Sequence, residues 1–150
     1  MKNKIINILI FVIIPLLIGG MIYLLTRSDS LVMFDWLKKF ELLEKITVIR
    51  SEFNIKNLLQ NWIIYNFPAW IWTFSLTVLL GIIWNCKINK ESLMVLLIPS
   101  LLSILSEIFQ KINLLNGTFD YADLFFYLVG GISGLLAIIS INTNHKFKFL

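Results

Sequence analysis

The chain has 150 residues, of which 58% are hydrophobic and 15% are charged, and its formal net charge is +4. Soluble domains are about 45–50% apolar and about 25% charged, so this composition and the mean hydropathy of +0.83 exclude an ordinary soluble domain. The basic residues form no single stripe, and no nucleic-acid partner is expected.

Four stretches are apolar enough to cross a bilayer, which needs roughly 20 mostly apolar residues. The predicted spans are about 5–25, 65–86, 92–110 and 122–142. They predict an all-α integral membrane protein: one four-helix transmembrane bundle, forming a single domain over 1–150. The first span follows Lys2 and Lys4, but it is longer than the hydrophobic region of a signal peptide, so we expect a retained anchor.

The segment 28–64 has no Gly and no Pro, so it does not resemble a linker. Its apolar residues recur at helical spacing between charged ones, which predicts an amphipathic helix. Two placements fit this pattern: a helix lying at the outer membrane surface, or a cap packed over the bundle. The apolar positions are Leu31, Phe34, Leu37, Leu43 and Ile46.

Aromatic residues mark both ends of the second span. Trp62 and Trp84 are 22 residues apart, which is roughly 33 Å of helix and close to one hydrocarbon thickness. An aromatic belt at the two interfaces explains them. Pro68 fits the first helical turn, with Asn66 near the N-cap position.

Several kinds of catalytic and metal site are excluded by residue counts. Cys86 is the one cysteine and His145 the one histidine, so a disulfide, a thiolate metal cluster, a zinc site or a histidine-based triad is not expected. There is also no Gly-rich phosphate loop. We expect no resident metal and no cofactor.

The strongest functional indication is a pair of polar helix faces that flank a short loop. Ser100, Ser103, Glu107 and Gln110 share one face of the third span, and Asp120, Asp123 and Tyr127 share one face of the fourth. Because the loop is short, the two helices are antiparallel and their polar ends meet. This predicts an anionic ligand site of Glu107, Gln110, Asp120 and Asp123 that takes a cation, an amine or a bridging divalent metal.

Gly130 and Gly134 continue the polar face of the fourth span. Small residues at this spacing let another helix approach closely. We expect that helix to be the third span or the first.

Each acidic residue also has a purely structural explanation. Glu107 lies four residues before Lys111 and could pair with it. Asp120 suits the N-cap of the fourth helix, and Asp123 suits its first turn.

The stretch Ser106–Gln110, then Gly117–Asp120, Asp123, Gly130 and Gly134, resembles the C-terminal motif of VanZ-like membrane proteins. That family shows Glu-x-x-Gln, a short loop, two aspartates three apart, and glycines in the last span. The resemblance covers about 35 residues. The sequence departs from the motif at Tyr127, where the family often has Asn. Any role of that Asn is therefore not assigned to Tyr127. The resemblance implies the bacterial cytoplasmic (inner) membrane, and some members are linked to glycopeptide antibiotic resistance.

Two classes of function remain. In the first, a multi-pass envelope protein contacts membrane lipids and uses its acidic outer-leaflet site to bind a lipid headgroup, a cationic ligand or a membrane protein partner. The alternative is a small membrane enzyme that acts on a lipid-linked substrate through its carboxylates. Enzymes usually add a further nucleophile or base, and none is evident, which favours binding.

Charge density predicts that both termini lie in the cytoplasm. The two tails and the tight loop between the second and third spans are dense in lysine, and cytoplasmic loops carry such an excess. With Cys86 replaced, a cysteine at Lys45 should react with a membrane-impermeant maleimide added from outside intact cells. Labelling of position 45 only from the cytoplasmic side would reverse the topology.

Overall fold

A computed structural model describes residues 2–27, 32–52 and 61–147. Within these residues the structure consists of helices and loops, without a strand. The helices are α1 (Lys2–Ile8), a π-helical segment (Leu9–Ile13), α2 (Ile14–Thr26), α3 (Val32–Lys39), α4 (Leu43–Glu52), α5 (Asn61–Ile83), α6 (Lys90–Lys111) and α7 (Tyr121–Phe147).

Four of these helical runs are long and apolar enough to cross a membrane: Lys4–Thr26, Ile64–Ile83, Lys90–Lys111 and Tyr121–Asn142. This confirms the all-α class and the four predicted spans, as expected of a multi-pass membrane protein. The first span combines α1, the π-helical segment and α2. The second, third and fourth spans are α5, α6 and α7.

The second span, α5, is the centre of the bundle. It contacts the first, third and fourth spans, and its most extensive interface is with α7. Val78 and Ile82 on α5 form the core with Ile138 on α7, Leu96 on α6 and Val12 of the π-helical segment. All four spans therefore share one core.

The glycines of α7 permit this close α5–α7 contact. A Cβ at Gly130 would lie 2.6 Å from the Trp70 carbonyl oxygen, and one at Gly134 would lie 2.8 Å from the Thr77 Cβ. The partner of this stripe is therefore α5, and our expectation of the third or first span is wrong. The reason is complementary shape, since Thr73 on α5 packs against Gly130 and Thr77, one turn later, packs against Gly134.

The start of the second span also differs from the prediction. The helix begins at Asn61, so Pro68 lies inside it and Asn66 is not its N-cap. The Asn66 side-chain amide instead donates to the Trp62 carbonyl, at 3.0 Å. Membrane helices tolerate an internal proline because neighbouring groups satisfy the freed backbone atoms, so the helix continues through it.

The loop between α5 and α6 closes one end of the bundle. Asn89 and Ser92 form a capping box at the start of α6, in which each side chain accepts a hydrogen bond from the backbone N–H of the other.

Cys86, in the same loop, is buried. Burial raises the pKa of the Cys86 thiol, although the charge of Lys4 opposes this. A protonated, buried thiol is unreactive.

Helices α3 and α4 lie against the opposite end of the first span. The Arg50 side chain donates to the carbonyls of Leu24 and Arg27, where α2 ends. Its guanidinium lies 4.7 Å from the centre of the Phe34 ring, and Phe34 is fully buried. A cation is favourable at a helix C-terminus, so Arg50 stabilises the contact of α3 and α4 with the first span.

Replacing Gly134 by Leu should destabilise the bundle. The new side chain would overpack the contact with Thr77, at a cost of about 1–3 kcal/mol. Thermal unfolding in detergent should therefore occur at a lower temperature. Gly20→Leu is the matched control, because a Cβ at Gly20 meets nothing within 4 Å. Equal melting temperatures for the two variants would show that the α5–α7 contact is not close.

Candidate functional site

The topology brings four helix ends together at one end of the bundle. The C-terminal ends of α2 and α6 and the N-terminal ends of α5 and α7 surround a cavity of about 620 Å³. We call this the polar end of the bundle. The polar side chains that line the cavity are Tyr23, Arg27, Tyr65, Glu107, Gln110, Thr118, Asp123 and Tyr127.

Glu107 is the most buried of these charged groups, with 3% of its surface exposed. One carboxylate oxygen accepts the backbone N–H of Asp120, at 3.3 Å, and the other accepts the Tyr127 hydroxyl, at 3.5 Å. A buried carboxylate is costly unless it is hydrogen-bonded. These two bonds stabilise Glu107 and join the end of α6 to the start of α7.

Gln110 and Asp123 line the same cavity as Glu107. Gln110 lies against Gly117 in the connecting loop, where φ is +150° and a Cβ would come 2.6 Å from the Gln110 amide carbon. Only glycine combines this backbone conformation with the available space. Asp123 is partly exposed, and no side-chain or backbone donor among the described residues binds its carboxylate.

Asp120 has a different position from the other three predicted site residues. Its carboxylate accepts the backbone N–H of Ala122, at 2.8 Å, which is an N-cap interaction at the start of α7. It is not among the residues that line the cavity, although its charge acts on Asp123. The structure therefore places Glu107, Gln110 and Asp123 around one cavity and Asp120 at its edge.

The alternative Glu107–Lys111 ion pair does not occur. Glu107 faces the bundle interior, whereas Lys111 is exposed. The Lys111 ammonium donates to the Tyr121 hydroxyl, at 3.2 Å, and lies 4.8 Å from the centre of the Phe119 ring. Lys111 therefore contacts the aromatic residues around the start of α7 instead of Glu107.

Arg27 also lines the cavity, although the two polar helix faces did not indicate it. Its guanidinium donates to the Tyr65 carbonyl, at 3.1 Å, and lies 5.3 and 4.9 Å from the ring centres of Tyr23 and Tyr65. Its Nε is buried and has no hydrogen-bond partner. The predicted topology could have placed Arg27 near Glu107. Arg27 is the first charge after the first span, and the first and third spans end on the same side of the membrane.

The rest of the cavity wall is apolar and extends along the first span. Leu16 and Arg27 are eleven residues apart, which corresponds to roughly 16 Å of helix, or about half of the hydrocarbon thickness. Gly20 lies between them beside open space. The apolar part is lined by Leu16, Gly19, Gly20, Ile71 and Trp72.

Within residues 2–27, 32–52 and 61–147, no three His, Cys, Asp or Glu side chains are placed to hold a metal ion. The side chains available to the cavity for hydrogen bonding and charge pairing are two carboxylates, one guanidinium, one amide and four hydroxyls, next to an apolar wall.

Comparison with known proteins assigns the chain to no family. No model of a known protein family matches the chain, and no curated protein or solved structure is detectably similar to it.

Asp120→Ala should lower stability by about 1 kcal/mol, the usual effect of removing an N-cap side chain. Asp120→Ser should restore most of the loss because Ser also caps. Thermal unfolding of the three proteins measures this difference. If Asp120→Ala and Asp120→Ser unfold at the same temperature, Asp120 does not act as a cap.

Proposed function

We propose that the chain is a multi-pass protein of the bacterial inner membrane that binds the headgroup of a membrane lipid at the polar end of the bundle. The observation that supports this proposal is that the cavity has a polar part and an apolar part. Buried Glu107 and the other polar groups form one part, and the apolar wall from Leu16 to Gly20 forms the other. A lipid has the matching arrangement, a polar headgroup joined to an apolar acyl chain.

Access from the bilayer supports a lipid rather than a soluble ligand. Trp72, on the apolar wall, is 53% exposed, and Gly20 is also exposed. In a membrane these positions face acyl chains. A lipid can then place its headgroup among the charges while its chain stays in contact with the bilayer.

The density of lysines near the predicted cytoplasmic segments supports placing the polar end in the outer leaflet. Helices α3 and α4 lie at this same end, with Trp36 and Phe40 exposed. We propose that these side chains enter the membrane interface, where aromatic residues concentrate. The resemblance of residues 106–134 to VanZ-like proteins supports the bacterial envelope, and it alone supports a link to glycopeptide antibiotic resistance.

A small membrane enzyme acting on a lipid-linked substrate is the second candidate. The observation that favours it is the Glu107–Tyr127 pair, a carboxylate and a phenol 3.5 Å apart that both line the cavity. Such a pair can transfer a proton to or from a bound substrate. Time-dependent conversion of added envelope lipids by the wild type, and not by Glu107→Gln, would favour this candidate.

Filling the apolar part of the cavity should displace the lipid. Gly20→Leu places a side chain where the acyl chain lies, and we expect retention of a bound lipid to weaken by about tenfold, or about 1.4 kcal/mol. Native mass spectrometry of the detergent-purified protein measures the retained lipid. Gly20→Ala is the matched control and should retain more.

In lipid-free detergent, where no bound lipid adds to stability, Gly20→Leu should unfold at the wild-type temperature, so lost retention would not reflect misfolding. If Gly20→Leu and the wild type retain the same lipid to the same extent, the cavity is not where the lipid binds.

A further inference from the structure

The cavity contains charges of both signs that do not pair with each other. Arg27 directly follows the first span, whereas Glu107 and Asp123 lie on the third and fourth. Among the described residues, Arg27 forms no ion pair with either carboxylate. A ligand of a single charge would therefore satisfy one side of the cavity and leave the other unpaired.

The guanidinium of Arg27 is held in place but retains unused donors. The rings of Tyr23 and Tyr65 position it, and one Nη donates to the Tyr65 carbonyl. Its Nε is buried without a partner, so the N–H groups left for a ligand are those of the two Nη atoms that do not donate to Tyr65. Adjacent N–H groups of a guanidinium bind two oxygens of one phosphate. Arg27 is thus suited to a phosphate.

The two carboxylates differ in how far the protein already satisfies them. Glu107 accepts hydrogen bonds from the Asp120 backbone and the Tyr127 hydroxyl. Asp123 lines the same cavity, and no described residue donates a hydrogen bond to it. A primary ammonium has three N–H donors, so it can bind Asp123 and still donate to Gln110 or Glu107. Asp123 is the principal acceptor that remains available.

We propose that the bound headgroup is zwitterionic and carries a phosphate and a primary amine, as in phosphatidylethanolamine. Arg27 binds the phosphate and Asp123 binds the ammonium, with Glu107 and Gln110 beside it. This rests on the proposed lipid-binding function and adds the chemical class of the lipid. Each unpartnered group of the cavity then meets a ligand group of opposite charge.

The test compares lipids that share acyl chains and differ only in headgroup. Phosphatidylethanolamine, phosphatidylcholine, phosphatidylglycerol and lysyl-phosphatidylglycerol are added in competition to the purified protein, and bound lipid is counted by native mass spectrometry. Phosphatidylethanolamine should be preferred about tenfold over phosphatidylcholine, whose quaternary ammonium cannot donate a hydrogen bond, and also over phosphatidylglycerol, which has no amine.

Protein variants test the amine contact and the phosphate contact one at a time. Asp123→Asn should lose the preference for phosphatidylethanolamine over phosphatidylcholine while still binding both. Arg27→Gln should weaken binding of every phospholipid and leave binding of a long-chain alkylamine unchanged. Lys87→Gln, which removes an exposed cation at the opposite end of the bundle, should match the wild type. If Arg27→Gln does not fold, Arg27→Lys keeps the charge and removes the paired N–H groups.

The results distinguish this proposal from the one it rests on. Equal binding of all four lipids, or preference for phosphatidylcholine or phosphatidylglycerol, would overturn the paired phosphate and amine contacts and leave lipid binding intact. An unchanged preference in Asp123→Asn would also overturn them. Lysyl-phosphatidylglycerol also carries a phosphate and a primary amine, so it should bind better than phosphatidylglycerol and lose this advantage in Asp123→Asn. Absence of any bound lipid in the wild type would overturn the proposed function itself.

Discussion

The carboxylate of Glu107 imposes the constraint on which the polar end of the bundle depends. Almost fully buried in an apolar bundle, it must receive hydrogen bonds, and they come from the Asp120 backbone and the Tyr127 hydroxyl. To supply them, the loop after α6 must return to the end of that helix. Gly117 permits the return because its backbone lies against Gln110 at positive φ. The cavity is the space that remains between this connection and the first two spans.

Hydropathy was sufficient to predict the four spans, because the length of an apolar run is a local property of the sequence. It did not identify the neighbour of each helix. Gly130 and Gly134 indicated a close contact, but Thr73 and Thr77, which complete it, lie more than fifty residues earlier and look like ordinary span residues. The continuation of α5 through Pro68 was missed for a related reason, since proline at a helix start is a rule from soluble proteins that membrane packing overrides.

The site was partly predictable because a helical stripe fixes which residues share a face. Glu107 and Gln110 on one stripe, and Asp123 on the other, do line one cavity. The stripe could not show that Asp120 turns its side chain to the α7 backbone. Arg27 could not be found by periodicity at all, because its proximity to the acidic residues depends on the first span packing against α5.

The α5–α7 interface has a consequence for biogenesis. The second span must enter the membrane before the fourth has been synthesised, since chains emerge from the ribosome N-terminus first. Thr73 is suited to this interval because its hydroxyl donates to carbonyls of its own helix. The hydroxyls of Ser75 and Thr77 have no partner even in the completed bundle. Until α7 is inserted, Thr73 and Thr77 lack the glycines that they pack against, and the cavity lacks Asp123 and Tyr127. A nascent chain that stops before its last span would therefore leave the threonine face of α5 uncovered and the cavity incomplete.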